Sequence, residues 1–357
     1  MPTGMLPTRP TIGSIVVLLI AKLAMIVTVI GAVTIGAVAI GPWASLANGA
    51  ENLVKPNGFP ERPITIIVPY AEGGESDLMS RAMATALEKV VGVKVLVVNK
   101  PGESGMAAVP EFMATPADGY TLLESIDEAA ANFAAEKLQQ NPALDWWPLG
   151  MAQVTFSQIY IRPGDVRFSD WPSFVAYARA SPSDVKIANV GTSGAMERVN
   201  LFELEQALGV SINNVTFNNP AERYAALIGG TVDALLEQPG DVASFLDSGK
   251  MTPILTLYSE RPIGHEKVPT LADVGLLFDP LPRFRGFWTL PGVTEPQRIY
   301  LEAALRAAWE SDEFQAFNRQ RAMYLINSYR DHDDAKAMIK TSIDTYRMIY
   351  QEMGLLQ

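Results

Sequence analysis

Short apolar runs alternate with amphipathic segments along the chain, beginning with the β-branched run from Ile64 to Tyr70. Apolar residues then recur at helical spacing from Leu78 to Val90, and Gly92 follows as a helix stop. The run from Lys94 to Asn99 predicts the next strand. A strand, a helix and a strand in this order predict a βαβ unit with parallel strands.

The same alternation continues through the middle of the chain. A strand is predicted over Tyr120 to Ser125 and an Ala-rich helix near residues 127–139, and a further apolar strand ends at the Pro-Gly pair that begins with Pro163. Pro110 falls inside another predicted helix. Because proline in a helix interior costs about 3 kcal/mol, we expect this helix to kink or to start late.

The pattern restarts after Phe168 and indicates a second domain. Helices, strands and a Gly-rich turn follow one another up to Arg283–Trp288, where a second crossing between domains is expected. A T-x-x-Q capping box at Thr294 and Gln297 then predicts the start of a helical tail. A chain of 357 residues is long enough for two domains. We therefore predict an α/β fold with domain 1 formed by residues 60–163 plus 284–357 and domain 2 by residues 164–283.

The N-terminal segment has the composition of an export signal. Its charged residues are Arg9 and Lys22, and an apolar run extends from Leu23 to Gly41. Small residues up to Ala47 resemble a signal-peptidase site, so residues 1–47 are predicted to be a cleaved signal peptide, followed by a lead-in over residues 48–59. The apolar run is close to the roughly 20 residues that span a bilayer, so an uncleaved membrane anchor is the alternative. In either case the rest of the chain is predicted to be periplasmic.

Composition excludes several kinds of site. The sequence has no cysteine, which excludes disulfides, thiolate metal sites and a cysteine nucleophile. With only His265 and His332, it offers little material for a multi-histidine metal centre or a Ser-His-Asp triad. Without Arg9 and Lys22, 26 basic residues stand against 39 acidic ones, a net charge of −13. Nucleic acid is therefore not an expected partner, and no cofactor or metal is predicted.

Two glycine-containing turns stand where a predicted strand meets a helix. Gly73 and Gly74 lie in the first turn, and Gly191 and Gly194 in the second. The first turn lacks the Lys-Ser or Lys-Thr of a P-loop and the G-x-G-x-x-G of a dinucleotide site. Each turn alone is an ordinary strand-to-helix turn, but the N–H groups of a helix start can also hold a carboxylate. Because ligands of open α/β sheets bind outside the carboxyl ends of strands, we expect the two turns to face each other across a cleft.

Six segments in order resemble the periplasmic solute receptors of tripartite tricarboxylate transporters, the Bug family. They are FPERPITIIVPYAEGGESDLMSR, VVNKPGESGMAAVPEFMATPADGYTLL, DWWPLG, ALIGGTVDALL, SGKMTPILTLYSERP and VPTLADVGL. The resemblance covers Phe59 to the C-terminus. It implies a two-domain periplasmic-binding-protein fold of type II (a Venus flytrap), with two interdomain crossovers. Such a protein is not an enzyme; as a monomer it closes on a small organic carboxylate, including an amino-acid-like one, and delivers it to transporter membrane subunits.

By position, the resemblance implies ligand loops at residues 69–77 and 191–197. Backbone amides of the first loop would take one end of the ligand, and the second loop would take the other. Asp77 could alternatively orient the first loop or meet a ligand amine. The predicted ligand-binding residues are Tyr70, Ala71, Gly73, Gly74, Ser76, Asp77, Gly191, Thr192, Ser193, Gly194, Arg198, Phe217 and Asn218.

The chain departs from the family pattern in the charge of both loops. Glu72 and Glu75 stand in the first loop, where the family is neutral, and Met196, Glu197 and Arg198 stand in the second, where the family has Ser and His. Three explanations accommodate the acidic first loop: the glutamates face solvent, Arg198 compensates, or the ligand carries an amine. We expect the first, because each glutamate would otherwise repel an anionic ligand by about 1 kcal/mol or more.

Two other functions are compatible with the residues. If the N-terminal segment stays attached, the chain is a membrane-tethered ligand sensor. An α/β hydrolase or transferase would use Asp77, Glu75 or Ser193, but no base is evident beside Ser193. The segment GTSGA also lacks the last glycine of G-x-S-x-G.

Overall fold

The computed structural model describes residues 53–56, 58–191, 194–217 and 219–356. These residues belong to one compact unit, residues 48–357. Two five-stranded sheets with packed helices make up this unit, so the predicted α/β fold with two halves is confirmed. Within the described ranges, none of the helices has the length and apolarity needed to span a bilayer. The predicted signal peptide lies outside the described residues.

Strands and helices alternate along most of the chain. The strands are β1 Ile64–Val68, β2 Val95–Asn99, β3 Thr121–Ile126, β4 Trp147–Thr155, β5 Ser157–Ile161, β6 Lys186–Asn189, β7 Asn213–Thr216, β8 Ala234–Glu237, β9 Thr252–Leu257 and β10 Arg283–Thr289. The helices are α1 Glu75–Val91, α2 Val109–Met113, α3 Glu128–Ala134, α4 Trp171–Ala180, α5 Met196–Leu208, α6 Pro220–Ile228, α7 Pro239–Asp247, α8 Glu295–Glu310, α9 Asp312–Gln320 and α10 His332–Glu352. Short 3₁₀ helices span Glu103–Ala108 and Ala272–Val274.

The first sheet has the strand order β2-β1-β3-β10-β4. β1 is parallel to β2 and β3, and β10 is antiparallel to β3 and β4. We call this sheet with helices α1–α3 and α8–α10 lobe 1. One face of the sheet packs on α1 and α8 through residues such as Leu87 and Leu305, and the other packs on α2 and α10 through Phe112 and Tyr346. The carboxyl ends of β1 and β3 therefore open at one edge.

The second sheet has the order β7-β6-β8-β5-β9. β6 is parallel to β7 and β8, and β5 is antiparallel to β8 and β9. We call this sheet with α4–α7 lobe 2. A buried aromatic group of Phe168, Trp171 and Phe174 joins α4 to it.

The chain passes between the lobes at two neighbouring points. It leaves lobe 1 at Phe156, between β4 and β5, and returns where β10 begins at Arg283. The two crossings lie side by side, since Arg283 pairs with Thr155 in the sheet. The predicted boundary at Pro163 places β5 in domain 1, whereas β5 pairs in the second sheet and the crossing comes earlier, at Phe156. A single residue separates β4 from β5, so the sequence shows no turn at which the apolar run divides.

Helix ends follow the sequence in some places and not in others. Gly92 and Gly209 end α1 and α5 in the left-handed conformation, with φ of 78° and 63°. Pro110 lies in the first turn of α2, so that helix starts late, as one of our two alternatives required. The capping box is not formed, because Thr294 donates to the Gln297 side chain instead of accepting from the helix backbone. The predicted helical tail is divided into three helices.

Candidate functional site

A cavity of about 560 Å³ lies between the lobes, and both predicted loops reach it. Tyr70 of the first loop lines the cavity, and so do Gly191 and Gly194 of the second loop. The remaining walls come from the β3–α3 junction, the start of α5, the β8–α7 junction, β10 and α10. Charged side chains from both lobes therefore meet in one cleft.

The first glycine turn binds a side chain of its own helix. Gly73 has φ of 81°, and its N–H donates to the Asp77 carboxylate at 2.9 Å. The N–H of Gly74 donates to the carbonyl oxygen of Ala71 at 3.2 Å. Both amides thus have internal partners, contrary to our expectation that they would take a ligand group. Ser76, also predicted to bind the ligand, is buried beside Glu124.

Asp77 orients the first loop and does not face the cavity. Its carboxylate accepts from Arg81 at 3.1 Å and from Asn99 at 3.0 Å, in addition to Gly73. Burial alone would raise the pKa of Asp77, but these hydrogen bonds outweigh it and the pKa is lowered. Among the predicted roles of Asp77, the structure shows orientation of the first loop.

The two glutamates of the first loop have different surroundings. Glu72 is exposed and lies 3.5 Å from Arg81, as we expected. Glu75 is largely buried instead, with its carboxylate 3.4 Å from Arg321. Burial raises the pKa of Glu75, and Arg285 and Arg321 oppose this rise. Our expectation that both glutamates face solvent is therefore wrong for Glu75.

The second glycine turn lies against α5 and α10. Gly191 has φ of 87°, and a Cβ there would lie 2.4 Å from the Cβ of Ala195, so a larger residue does not fit. The carbonyl oxygen of Gly194 accepts a hydrogen bond from the Tyr350 hydroxyl at 2.6 Å. The predicted ligands Thr192 and Ser193 lie outside the described residues.

Two further predicted residues, Arg198 and Phe217, lie at the edge of the site or beyond it. Arg198 forms an ion pair with Glu205 at 2.7 Å, so it does not compensate the first loop. The carbonyl oxygen of Phe217 accepts from Arg223 at 3.0 Å. Asn218 is outside the described residues. Arg198 and Phe217 thus contact lobe 2 side chains and do not line the cavity themselves.

Arg283 joins carboxylates of the two lobes inside the cleft. Its guanidinium lies 2.7 Å from Asp127 of lobe 1 and 2.7 Å from Glu197 of lobe 2. Burial raises the pKa of Asp127, against the attraction of Arg283. The Tyr346 hydroxyl lies 3.5 Å from the same carboxylate. This ion pair therefore links the lobes at the floor of the cavity.

A second buried ion pair lies in lobe 2. Arg223 donates from Nε to Glu237 at 3.0 Å, and the side chains are 5% and 2% exposed. The N–H of Gln238 donates to the other carboxylate oxygen at 3.2 Å. Burial and the nearby Asp241 raise the pKa of Glu237 to about 7, although Arg223 acts in the opposite direction.

Arg285 lines the cavity without a carboxylate partner among the described residues. One of its terminal nitrogens lies 3.4 Å from the Gln153 side chain, and its buried Nε has no acceptor there. Glu124 is fully buried behind it, and neither of its oxygens has a hydrogen-bond partner in the described part of the chain. Burial raises the pKa of Glu124 to about 8, against the effect of Ser76 and Arg285.

The charged residues of the cleft were missed by sequence reasoning, although two signals pointed to them. Arg283 and Arg285 alternate in a strand we treated only as a crossing, and Asp127 and Glu237 each stand at the end of an apolar strand. In the described residues, no group of three or more His, Asp or Glu side chains could hold a metal ion. The arrangement is suited to binding a charged organic molecule by ion pairs and hydrogen bonds.

The sequence is similar to those of known proteins over most of its length. The profile of the tripartite tricarboxylate transporter family receptor matches residues 79–355. The chain is 28% identical to the UPF0065 protein in the gbd 5′ region of Cupriavidus necator, over 61% of this chain and 66% of that protein. It is 29% identical to protein BugT of Bordetella pertussis, over 62% of this chain and 68% of BugT.

Solved structures agree with the fold. A TctC solute-binding protein from Polaromonas has a TM-score of 0.73 and 23% identity, over 82% of this chain and 99% of that one. MatC of Rhodopseudomonas palustris with bound malate has a TM-score of 0.65 and 23% identity, with the same coverage. R. palustris Rpa4515 with adipate has a TM-score of 0.69 and 20% identity, over 83% of this chain and 98% of that one. The likeness confirms the two-domain architecture of type II.

Proposed function

The chain belongs to the family of tripartite tricarboxylate transporter receptors, and on that premise we propose that it captures a small organic carboxylate in the cleft between the lobes. The family and its solved neighbours are solute-binding proteins and not enzymes. Binding is therefore the function to be explained, and the hydrolase or transferase alternative has no support.

The guanidinium of Arg285, which has no ion pair within the described residues, is the observation that carries this proposal. Arg283 and Arg223 already face carboxylates within the protein, whereas Arg285 lines the same cavity with none in the described residues. A partly buried guanidinium without an ion-paired anion is unfavourable, and a ligand carboxylate would supply two charge-assisted hydrogen bonds to it. The two structural neighbours crystallised with malate and adipate support a carboxylate ligand.

The two loops would then have different tasks. The first loop, closed on Asp77, forms a fixed wall that presents Tyr70 to the cavity. The second loop would contribute Thr192, Ser193 and the turn glycines from lobe 2. Ligand binding would draw the lobes together about the paired crossings at Phe156 and Arg283.

Titration calorimetry of purified protein with a panel of mono- and dicarboxylates tests the proposal. Arg285→Met is expected to weaken binding of every carboxylate at least about tenfold, since hydrogen bonds to charged groups contribute about 1.5–3 kcal/mol. Arg319→Met, at an exposed arginine of α9, is the matched control and should bind as the wild type does. Failure of all carboxylates to bind, or an Arg285→Met protein with unchanged affinity, would overturn the proposal.

Export and delivery to membrane subunits of a transporter are part of the same proposal. The alignments cover 66% and 68% of the first two relatives, so partnership with a transporter is inferred and rests on the family. N-terminal sequencing of protein from a periplasmic extract should begin at Asn48. Recovery of a chain that begins at Met1 or Pro2 would favour the uncleaved anchor.

A further inference from the structure

One end of the cavity carries more negative than positive charge. Asp127, Glu128 and Glu197 line it together, and Arg283 is the guanidinium that contacts two of them. Glu128 has no ion pair among the described residues, and it is half-buried. Within this group of four residues, three carboxylates against one guanidinium leave an excess of two negative charges.

Glu197 adds an unmatched acceptor at the same place. One of its oxygens takes the Arg283 guanidinium, while Oε2 is buried and has no hydrogen-bond partner in the described part of the chain. The residue is 1% exposed and lines the cavity. A buried carboxylate oxygen without a donor is costly, so this oxygen indicates a donor that arrives with the ligand.

The electrostatics of Glu128 agree with this picture. Burial raises the pKa of Glu128, and the neighbouring Asp127 and Glu197 raise it further, against Arg283. Repulsion within the cluster would be relieved by a cation placed among the three carboxylates. A second ligand carboxylate in the same place would increase the repulsion.

The opposite charge lies a short distance along the same strand. Arg285 is two residues from Arg283 on β10, which corresponds to about 7 Å in an extended strand, with both side chains on one face. Within the described part of the chain, the cavity thus offers a guanidinium without an ion pair at one point and a carboxylate cluster with excess negative charge at another.

We propose that the ligand is a zwitterion, with a carboxylate that binds Arg285 and an ammonium group that binds between Glu128, Glu197 and Asp127. This inference rests on the proposed function and narrows its ligand class. An ammonium group supplies both the positive charge that the cluster lacks and the N–H donor that Glu197 lacks. A dicarboxylate supplies neither.

Calorimetry with ligand pairs of equal length tests the inference. The pairs are 4-aminobutanoate with succinate and 6-aminohexanoate with adipate. At one length or both, the amino acid is expected to bind at least tenfold more tightly than the matching dicarboxylate. Equal or tighter binding of the dicarboxylate at both lengths would overturn this inference while leaving the proposed function in place. Binding of no acid from either series would overturn both.

Variants of the carboxylate cluster provide an independent test. Glu128→Gln, at a residue that forms no ion pair with the described residues, should weaken binding of the amino acid at least fivefold and leave dicarboxylate binding unchanged or tighter. Glu197→Gln retains an oxygen that can accept from Arg283, and it should likewise weaken binding of the amino acid but not of the dicarboxylate. Glu111→Gln, at an exposed glutamate paired with Lys100, is the control. If Glu128→Gln and Glu197→Gln both keep the wild-type ratio of amino-acid affinity to dicarboxylate affinity, the ammonium group does not bind among these carboxylates.

Discussion

The Tyr350 hydroxyl donates a 2.6 Å hydrogen bond to the carbonyl oxygen of Gly194. Tyr350 belongs to the last helix of lobe 1, and Gly194 to the glycine turn of lobe 2. The C-terminal helix thus holds the second loop at the edge of the cavity. Tyr350 is 3% exposed and packs in the lobe 1 core, so its hydroxyl is held in a fixed position against the turn.

Removal of this hydroxyl should loosen the contact between the lobes. Tyr350→Phe keeps the packed ring and deletes a hydrogen bond that contributes about 0.5–1.5 kcal/mol. Carboxylate affinity is expected to fall about two- to tenfold in calorimetry, and the radius of gyration without ligand should rise in small-angle scattering. Tyr324→Phe, at an exposed tyrosine, is the control. Unchanged affinity and unchanged scattering would show that this bond does not hold the lobes.

A glycine at the start of α7 allows the lobes to approach. A Cβ on Gly240 would lie 2.2 Å from the carbonyl oxygen of Arg321, in the chain after α9. Gly240→Ala should therefore favour a more open arrangement, with weaker ligand binding and a larger radius of gyration. Ser244→Ala, at an exposed position of the same helix, should leave both quantities unchanged. A Gly240→Ala protein as compact as the wild type would contradict the close approach.

Glu124 should make stability fall as pH rises. Its pKa is raised from 4.5 to about 8 by burial, so between these values the folded state keeps a proton that the unfolded state loses. Its contribution to the free energy of unfolding therefore declines with rising pH across this window, by up to about 1.4 kcal/mol per pH unit. Urea denaturation from pH 5 to pH 8 should show Glu124→Gln gaining stability relative to the wild type. If the free energies of unfolding of the two proteins change in parallel with pH, Glu124 does not keep its proton in the folded state across this range.

The buried pair of Arg223 and Glu237 should be costly to break. Arg223→Met leaves the Glu237 carboxylate without its cation, and one-sided loss of a buried pair costs about 3–5 kcal/mol. The pKa of Glu237 is already raised to about 7, so the penalty should be larger at pH 8 than at pH 5.5, where the folded state can take up a proton. Chemical denaturation of the wild type and of Arg223→Met at pH 5.5 and at pH 8 measures this loss in the free energy of unfolding.

An exposed ion pair is the control for this experiment. Arg306→Met removes the partner of Glu310 on α8, where both side chains are solvent-accessible. Such a pair contributes about 0–1 kcal/mol, so its loss should be small and nearly independent of pH. A similar small loss in Arg223→Met would mean that the carboxylate of Glu237 finds another partner.

Prediction from sequence succeeded where the signal is local. The apolar run of β1, the helical spacing of α1 and the glycines at Gly92 and Gly209 are visible in a few neighbouring residues, and the structure contains each of them. The T-x-x-Q motif at Thr294 is equally local, yet it did not form a capping box, because Gln297 also bonds the carbonyl oxygen of Asp118, far away in the chain.

Long-range pairing explains the remaining errors. The function of the first glycine turn depended on whether its amides would be free, and Asp77 takes one of them with support from Asn99 of β2. The crossing at Phe156 depended on which sheet β5 would join. Neither outcome follows from the residues nearby, since each requires knowing which strands lie side by side.

The sequence by itself determined the α/β alternation, the two halves, the family and the presence of two glycine turns, because apolar period and turn chemistry act over short stretches. Only the tertiary structure decided which charges meet. Arg283, Asp127 and Glu197 come from distant parts of the chain and are brought together by the two crossings, while Arg285 forms no ion pair with any carboxylate that the structure describes. Coulombic interactions depend on distance in space and not on separation along the chain, so the charge of the cleft could be known only once the lobes were in place.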